Sequence, residues 1–362
     1  MIRVLHIVTS LSASGVPSVL YSFYSHMDRS KVKFDFVAIP SEVEQTYKVK
    51  FEALGSMVYY MPKAYSKRVQ YLYHLIKKGN YDVVHSHIEL ASAIYLSIAK
   101  IAGVNVRIAH AHMAFLSYKK IHQRCLRFLL NRVSTIKMGC SIDALKGLFG
   151  TMNGIVLHNA IDTEKFTFKD LVRNQYRKKL EVDGNAVIGF VGRLTYQKNI
   201  FYLLDIFYEY LKINSNAILL IAGDGEDREK FIEKAKRMGI FEKIKFLGPR
   251  NDINALMMAM DCLLLPSRWE GLGIVLVEAQ ATALKCYTSL NTVPYEDTNI
   301  SEYINYIDIN SSPIKWAKCL SQNNITEYKR KSIKEQLAKH HYDIVEEANN
   351  LFEIYSNKID RK

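Results

Sequence analysis

Five cysteines are scattered over 362 residues, and no two of them form a C-x-x-C pair. An odd, dispersed set speaks for reduced thiols in the cytosol and against a metal cluster. No apolar run approaches the roughly 18 to 20 residues that a spanning helix needs. The chain enters a strand pattern at once, from Ile2 to Val8, with no signal-peptide core and cleavage site, so a cytoplasmic protein is expected. Finger, knuckle and basic-zipper patterns are missing too, and nucleic acid is not expected as a partner. G-x-G-x-x-G follows neither Val8 nor Val191, which removes the basis for a dinucleotide-dependent dehydrogenase. Acid is scarce where base is dense. The formal net charge is +13, and the segment from Lys63 to Lys137 holds thirteen Lys or Arg residues against Asp82 and Glu89 alone.

What is present is an ordinary globular composition, 49% hydrophobic and 23% charged, on a chain long enough for two domains. Short apolar runs alternate with helical periodicity, the pattern of an α/β protein with doubly wound parallel sheets. Strands are expected at Val4 to Val8, Phe34 to Ile39, Asp82 to His85, Val106 to Ala109 and Ile136 to Gly139. The pattern then repeats at Val187 to Val191, Ala217 to Ala222, Ile244 to Leu247 and Cys262 to Leu265. Pro17, whose missing donor costs nothing in a first turn, is expected to start the first helix. The strandless polar stretch from Asn159 to about Asp183 is read as the linker. The expected domains are residues 1–165 and 166–342, with 343–362 as a C-terminal helix crossing back to the first. Tyr118 to Arg132 draws as a helix with Ile121, Cys125, Phe128 and Leu129 on one face and Lys119, Lys120, Arg124, Arg127 and Arg132 elsewhere. Such a helix either docks on its own domain or offers a basic face to an anionic membrane surface or a pyrophosphate-linked acceptor.

The chemistry concentrates in the second half. Glu270 and Glu278 stand eight positions apart, spanning a glycine loop, Gly271-Leu272-Gly273, that opens an apolar helix after the strand Cys262 to Leu265. Open α/β sheets bind ligands at such carboxyl ends of strands. The free amides of Gly271 to Ile274 favour an anion there. A carboxylate on either side suits hydroxyls flanking a phosphate, ribose on one side and a hexose on the other. Earlier, Gly189-Phe190-Val191-Gly192-Arg193-Leu194-Thr195-Tyr196-Gln197-Lys198-Asn199 sets two cations five residues apart before a helix. They suit a diphosphate, Arg193 as a fork and Lys198 as a point charge, although the spacing alone also fits a solvated basic loop.

Read together with Gly223-Asp224-Gly225 and Phe246-Leu247-Gly248, these elements closely resemble the retaining glycosyltransferases of family 4, over Val4 to about Thr282. The N-terminal and His110 regions are most like members that build capsules and exopolysaccharides. The resemblance implies a GT-B fold, two Rossmann-like domains facing each other across a cleft, with a nucleotide-sugar donor on the second and a lipid-linked or saccharide acceptor on the first. By position it implies that Arg193 and Lys198 clamp the donor diphosphate, that Glu278 accepts from ribose hydroxyls and that Glu270 faces the transferred sugar. Amides of Gly271, Leu272, Gly273 and Ile274 would hold sugar and distal phosphate. Gly223 and Asp224 fall on the donor side, and Arg250 with Asn251 where the base binds. Gly15, in Leu11 to Pro17, is expected to approach the donor phosphates, although Ser14-Gly15 then Pro17-Ser18 stand where relatives often carry two glycines and an acid. Ala283 and Lys285 replace a usual glycine and proline, so altered packing without loss of function is expected.

Two H-x-H pairs, His85-Ser86-His87 and His110-Ala111-His112, follow successive strands. Four imidazoles suggest zinc, but no carboxylate or cysteine accompanies them in sequence, and no metal is expected. The resemblance instead implies that His112, with His110 as its rival, touches the transferred sugar, and that His87 lies on the acceptor side. A strand-end D-x-D is missing as well, so metal-independent, cofactor-free transfer is expected, from a UDP-sugar to the acceptor. A peripheral position on the inner face of the cell membrane is expected with it. The alternative is a basic membrane- or polyanion-binding protein whose transferase site has decayed.

Overall fold

The computed structural model describes residues 1–12, 15–40, 44–113, 118, 120–322, 325–326 and 328–359. It divides into two compact units, Met1–Asp162 with His341–Lys362, and Thr163–His340. The first boundary lies three residues before the expected one.

In the first unit seven parallel strands run β1 (Ile2–Val8), β2 (Val32–Ala38), β3 (Val58–Tyr60), β4 (Val83–Ser86), β5 (Val106–Ala111), β6 (Ile136–Gly139) and β7 (Ile155–Val156), in spatial order 3-2-1-4-5-6-7. The reversal of strand order beside β1 is a switch point, with His6 of β1 in register with His85 of β4. Both sheet faces are covered: Leu5, Ile7, Val84 and Ala109 enter one apolar core, and Val4, Val8, Phe34, Phe36 and Ile108 the other. Two-sided burial is why these strands read as apolar runs rather than alternations. The first helix spans Gly15–Ser25, two residues earlier than Pro17 suggests. A proline two places inside the helix costs no bond, because the first four helical amides have no intrahelical partner.

The C-terminal helix Ile344–Ile359 belongs to the first unit by its own apolar stripe. Ile344, Ala348, Leu351 and Tyr355, spaced by four, three and four, are buried in the same core as Phe34 and Phe36. Backbone bonds from Ile161 to Tyr342 (2.9 Å) and from Ile344 to Ile161 (3.0 Å) hold the returning chain.

The helix Ile121–Val133 corrects the expected docking face. Ile121 is 75% exposed, Phe128 64% and Leu129 38%, and Cys125 is also exposed, whereas Leu130 and Val133 are buried with Leu126 packed beside them. Leu126, Leu130 and Val133 form a second stripe at i, i+4, i+7, and that stripe joins the apolar core. Lys119 lies outside the described residues.

The second unit has six parallel strands, β8 (Ala186–Val191), β9 (Ala217–Ala222), β10 (Ile244–Gly248), β11 (Cys262–Leu265), β12 (Lys285–Leu290) and β13 (Ile304–Asp308), ordered 10-9-8-11-12-13. Its sheet repeats the switch-point topology, between β8 and β11. The supposed linker is structured: it forms helices Thr163–Phe166 and Asp170–Lys179. From the second of these, Arg173 and Arg177 donate to the two oxygens of buried Asp261, at 2.5 and 3.2 Å, and Asp261 also takes the Val187 amide at 2.7 Å. A helix can be polar in sequence and still be anchored, when its charges are buried as hydrogen-bonded pairs.

Candidate functional site

In the second unit the carboxyl ends of β8, β9 and β10 are stitched by backbone bonds: Gly192 to Ala222 (3.0 Å), Leu194 to Asp224 (3.0 Å) and Gly223 to Gly248 (2.8 Å). Glycine is required at two of these crossings. Gly223, at φ +138°, has no room for a methyl beside the Gly192 carbonyl, and Gly225 has none beside the Leu194 carbonyl. The loop after Gly192 makes a single 3₁₀ turn, Tyr196–Lys198, then passes through left-handed Asn199 (φ 55°) into the helix Ile200–Ile213. This turn throws Lys198 back over Gly192, with its Cε about a van der Waals contact from where a Gly192 methyl would sit.

Lys198 meets Glu270 there. Its ammonium donates to both carboxylate oxygens, at 2.7 and 2.8 Å, and Ser267 Oγ donates to Oε1 at 2.5 Å. Glu270 is buried, and its amide bonds to the Thr292 carbonyl at 2.9 Å. Around the pair, Gln197 Nε2 donates to the Trp269 carbonyl (3.0 Å) and the Arg268 amide to the Gln197 carbonyl (2.8 Å). The two elements singled out in the sequence, 72 residues apart, are thus one site. An ammonium has three donors and two are spent on Glu270, leaving one for a ligand. Arg193, at the same strand end, is exposed and has no side-chain partner among the described residues.

Gly273 (φ 73°) caps the helix Ile274–Ala281, and nothing crowds Gly271. Leu272 is buried, and Ile274 begins the helix. One turn on, Glu278 is half-buried, and its carboxylate has no hydrogen-bond partner among the described residues. Burial pushes its carboxyl up to about 7, against the pull of the Lys165 charge. Asp224 is exposed and turns onto the Gly225 amide (2.8 Å). Arg250 is less open than expected: it forks onto Asp252 at 2.8 and 2.5 Å, and Tyr176 joins that carboxylate at 2.9 Å. Beside it Asn251 is exposed.

In the first unit five imidazoles gather at the carboxyl ends of β1, β4 and β5. His6 Nδ1 lies 3.0 Å from His87 Nε2, and His87 Nδ1 lies 2.8 Å from His112 Nε2. His85 Nδ1 bonds Tyr355 Oη at 2.9 Å, while neither nitrogen of buried His110 finds a partner. Burial holds all five rings well below the usual imidazole range, His6 to about 3 and His112 to about 4. They are neutral at pH 7. Two triplets, His6-His85-His87 and His87-His110-His112, are close enough to share an ion.

A carboxylate does accompany the histidines, contrary to the reading from sequence. Glu89, in a left-handed turn (φ 50°), accepts the His112 amide at 3.1 Å, and burial raises its carboxyl to about 7. His6, Glu89, Tyr355 and Ser267 are participants that sequence reasoning passed over. His6 had one signal, a lone imidazole inside the apolar run Val4 to Val8. Gly15 is exposed at the start of its helix, whereas Ala13 and Ser14 lie outside the described residues. A cavity of about 640 Å³ lined by Arg3, Tyr59, Lys67, Tyr71, His74 and Lys78 adjoins the amino end of β1, away from these groups.

A family model described as "Glycosyl transferases group 1" matches residues 172–318. The putative glycosyltransferase EpsF of Bacillus subtilis is 28% identical over 98% of this chain and 96% of its own length. CapH of Staphylococcus aureus, a capsular polysaccharide biosynthesis glycosyltransferase, is 26% identical over 99% of each chain. An Escherichia coli UDP-Gal:alpha-D-GlcNAc-diphosphoundecaprenol alpha-1,3-galactosyltransferase is 31% identical over 60% of each. Among solved structures, Anabaena Alr3699/HepE in complex with UDP-glucose superposes with a TM-score of 0.78, at 19% identity, over 99% of this chain and all of the other. With two doubly wound units and this strand-end site, the chain is a GT-B glycosyltransferase bearing a group 1 domain, similar to enzymes of capsular polysaccharide biosynthesis.

Proposed function

We propose that this chain is a retaining glycosyltransferase of family 4 that moves a hexose or N-acetylhexosamine from a UDP-sugar to a lipid-linked or saccharide acceptor in capsule or exopolysaccharide synthesis. The observation that carries the donor assignment is the Lys198–Glu270 pair, which joins the loops that follow β8 and β11. Arg193, the free donor of Lys198 and the amides of Gly271 to Ile274 neutralise charge that builds on the diphosphate as the anomeric bond breaks. Both oxygens of Glu270 are engaged, which suits orienting the sugar rather than attacking it, so the acceptor enters on the leaving-group face and the diphosphate takes its proton. Glu278 takes the ribose hydroxyls, and Gly223, Asp224, Arg250 and Asn251 complete the donor side with Gly15. His112 is assigned to the transferred sugar and His87 and His110 to the acceptor side. No metal is needed for this charge balance. UDP and an undecaprenyl-linked acceptor are named for two of the similar proteins. The exposed face of Ile121, Cys125 and Phe128, ringed by Lys120, Arg124 and Arg132, suits an anionic membrane on its cytoplasmic side.

The test is calorimetry with UDP-glucose, alongside a panel of other nucleotide-sugars. Lys198→Ala should weaken binding at least tenfold, the loss of a charge-assisted bond worth about 1.5–3 kcal/mol. Ionised Glu278 accepts from two hydroxyls more strongly than its protonated form, and its carboxyl is raised to about 7, so affinity should rise from pH 6 to 8 and level off in Glu278→Gln. If both variants bind and react like the parent, the donor site is elsewhere. An inverted anomeric product would exclude retention.

A further inference from the structure

Within the first unit, three neutral imidazoles are linked in a row, His6 Nδ1 to His87 Nε2 and His87 Nδ1 to His112 Nε2. A neutral ring carries one N–H and one lone pair. For both links to be hydrogen bonds, every ring must therefore donate in the same direction. Either all three protons sit on Nδ1, with His6 donating, or all three sit on Nε2, with His112 donating. A mixed set would face two lone pairs or two N–H groups across a 2.8 or 3.0 Å gap. The outward nitrogen of His112 is then a donor in the first case and an acceptor in the second. We propose that His6 and His87 are positioning residues that lock His112 into a single tautomer and ring orientation, so that it offers a sugar hydroxyl one defined hydrogen-bonding group.

The surroundings make this lock stiff. His6 is fully buried, its ring 4.2 Å from that of Phe34 and 5.2 Å from that of Phe36, and its Nε2 has no partner. The inner end of the row therefore exchanges with nothing, and the all-Nδ1 row is selected, because the all-Nε2 row would leave an unpaired N–H buried at this nitrogen where the other leaves only a lone pair. The His87 amide is tied to the Ile7 carbonyl at 2.9 Å, and the His112 amide to Glu89 at 3.1 Å. The His87 and His112 rings are thus held by their backbones as well as by each other. Burial keeps all three rings neutral at physiological pH, as the scheme requires. A free surface histidine would divide its time between tautomers, and a ligand would have to select one. Selection in advance removes that cost, as orienting partners do for metal-bound imidazoles.

The consequence for transfer rests on the assignment of His112 to the transferred sugar, and one experiment separates the two. In protein labelled with ¹⁵N-histidine, the ring nitrogen shifts report each tautomer directly. His6, His87 and His112 should all be Nδ1–H in the free protein. His6→Leu should leave His112 as a mixture, and so should His6→Asn, whose amide can turn either its oxygen or its NH2 group toward His87 Nε2. On turnover, His6→Leu should lower kcat about tenfold with KM for the donor little changed, and a His6→Asn variant that keeps the polar contact should recover little of it. Differing tautomers in the parent overturn the lock, as does a His112 signal indifferent to His6→Leu, or stoichiometric uptake of zinc by these rings. A uniform row whose His112 signals ignore UDP-glucose, with His112→Ala transferring at the parental rate, would leave the lock standing and remove the sugar contact.

Discussion

Single residues carry consequences that can be separated by substitution. Gly223 combines φ +138° with a backbone carbonyl where a side chain would go, while Gly271 has open space around it. Gly223→Ala should destabilise the second unit by about 2 kcal/mol or more, and Gly271→Ala by less than about 1 kcal/mol. Hydrogen exchange in β8 and β9 would measure the difference, and equal costs would mean that the stitched strand ends tolerate a methyl. Ala283 is instructive in the other direction. It stands where the resembled family has glycine, and it keeps the left-handed turn that glycine favours (φ 51°), packed and buried. Departure from the family pattern therefore changed the residue without abolishing the turn. That outcome needed coordinates, because a left-handed alanine is strained by about 1–2 kcal/mol and the sequence does not say whether packing offsets it.

At the scale of elements, the helix Ile121–Val133 shows where periodicity runs out. Two apolar stripes share it, Ile121-Cys125-Phe128 and Leu126-Leu130-Val133, and both satisfy helical spacing. Only the second is buried. The first remains as an exposed apolar patch among cations. Sedimentation with phosphatidylglycerol vesicles should therefore retain the protein, phosphatidylcholine vesicles should not, and Ile121→Asp with Phe128→Asp should cut retention several-fold. Thermal stability should stay within about 0.5 kcal/mol, since neither side chain is packed. Retention unaffected by the two substitutions would move the membrane contact to another surface. The polar stretch after Asn159 was misread for a related reason. Arg173 and Arg177 look like solvated charges until the partner, Asp261, arrives from about 85 residues away.

Across the whole molecule the two units should respond differently to acid. Four buried imidazoles and half-buried His112 in the first unit have lowered pKa values, so below the unfolded value near 6.5 the unfolded chain binds protons that the native unit refuses. Stability of this unit is complete above pH 6.5 and falls as pH drops toward 4. Glu89 and Glu347 act oppositely, since burial raises both carboxyls and keeps a proton on them in the native state above 4.5, on Glu89 up to about 7, but they are two groups against five. The second unit has no such cluster among its described residues. Hydrogen exchange at pH 5 should show β1, β4 and β5 opening before β8, β9 and β11. Simultaneous opening, or loss of the second unit first, would mean that the rings are already charged in the native protein.

The sequence by itself determined the elements that local chemistry dictates. Apolar runs of strand length specified most of the strands on either side of the two switch points, and Glu270 through Glu278 with Gly189 through Asn199 marked two loops that meet in one strand-end site. Glycines, paired acids and strand-end cations are local signals that survive translation into structure. The short or polar edge strands, Val58–Tyr60, Ile155–Val156 and Ile304–Asp308, were silent because edge position relaxes the demand for apolar residues. What tertiary structure alone decided were meetings between distant residues: Lys198 with Glu270, Arg173 with Asp261, Tyr355 with His85, and His6 with His87 and His112. Each joins groups whose partner cannot be chosen from sequence, because a hydrogen bond is fixed by angstroms and chain spacing says nothing of them until the strands are in register.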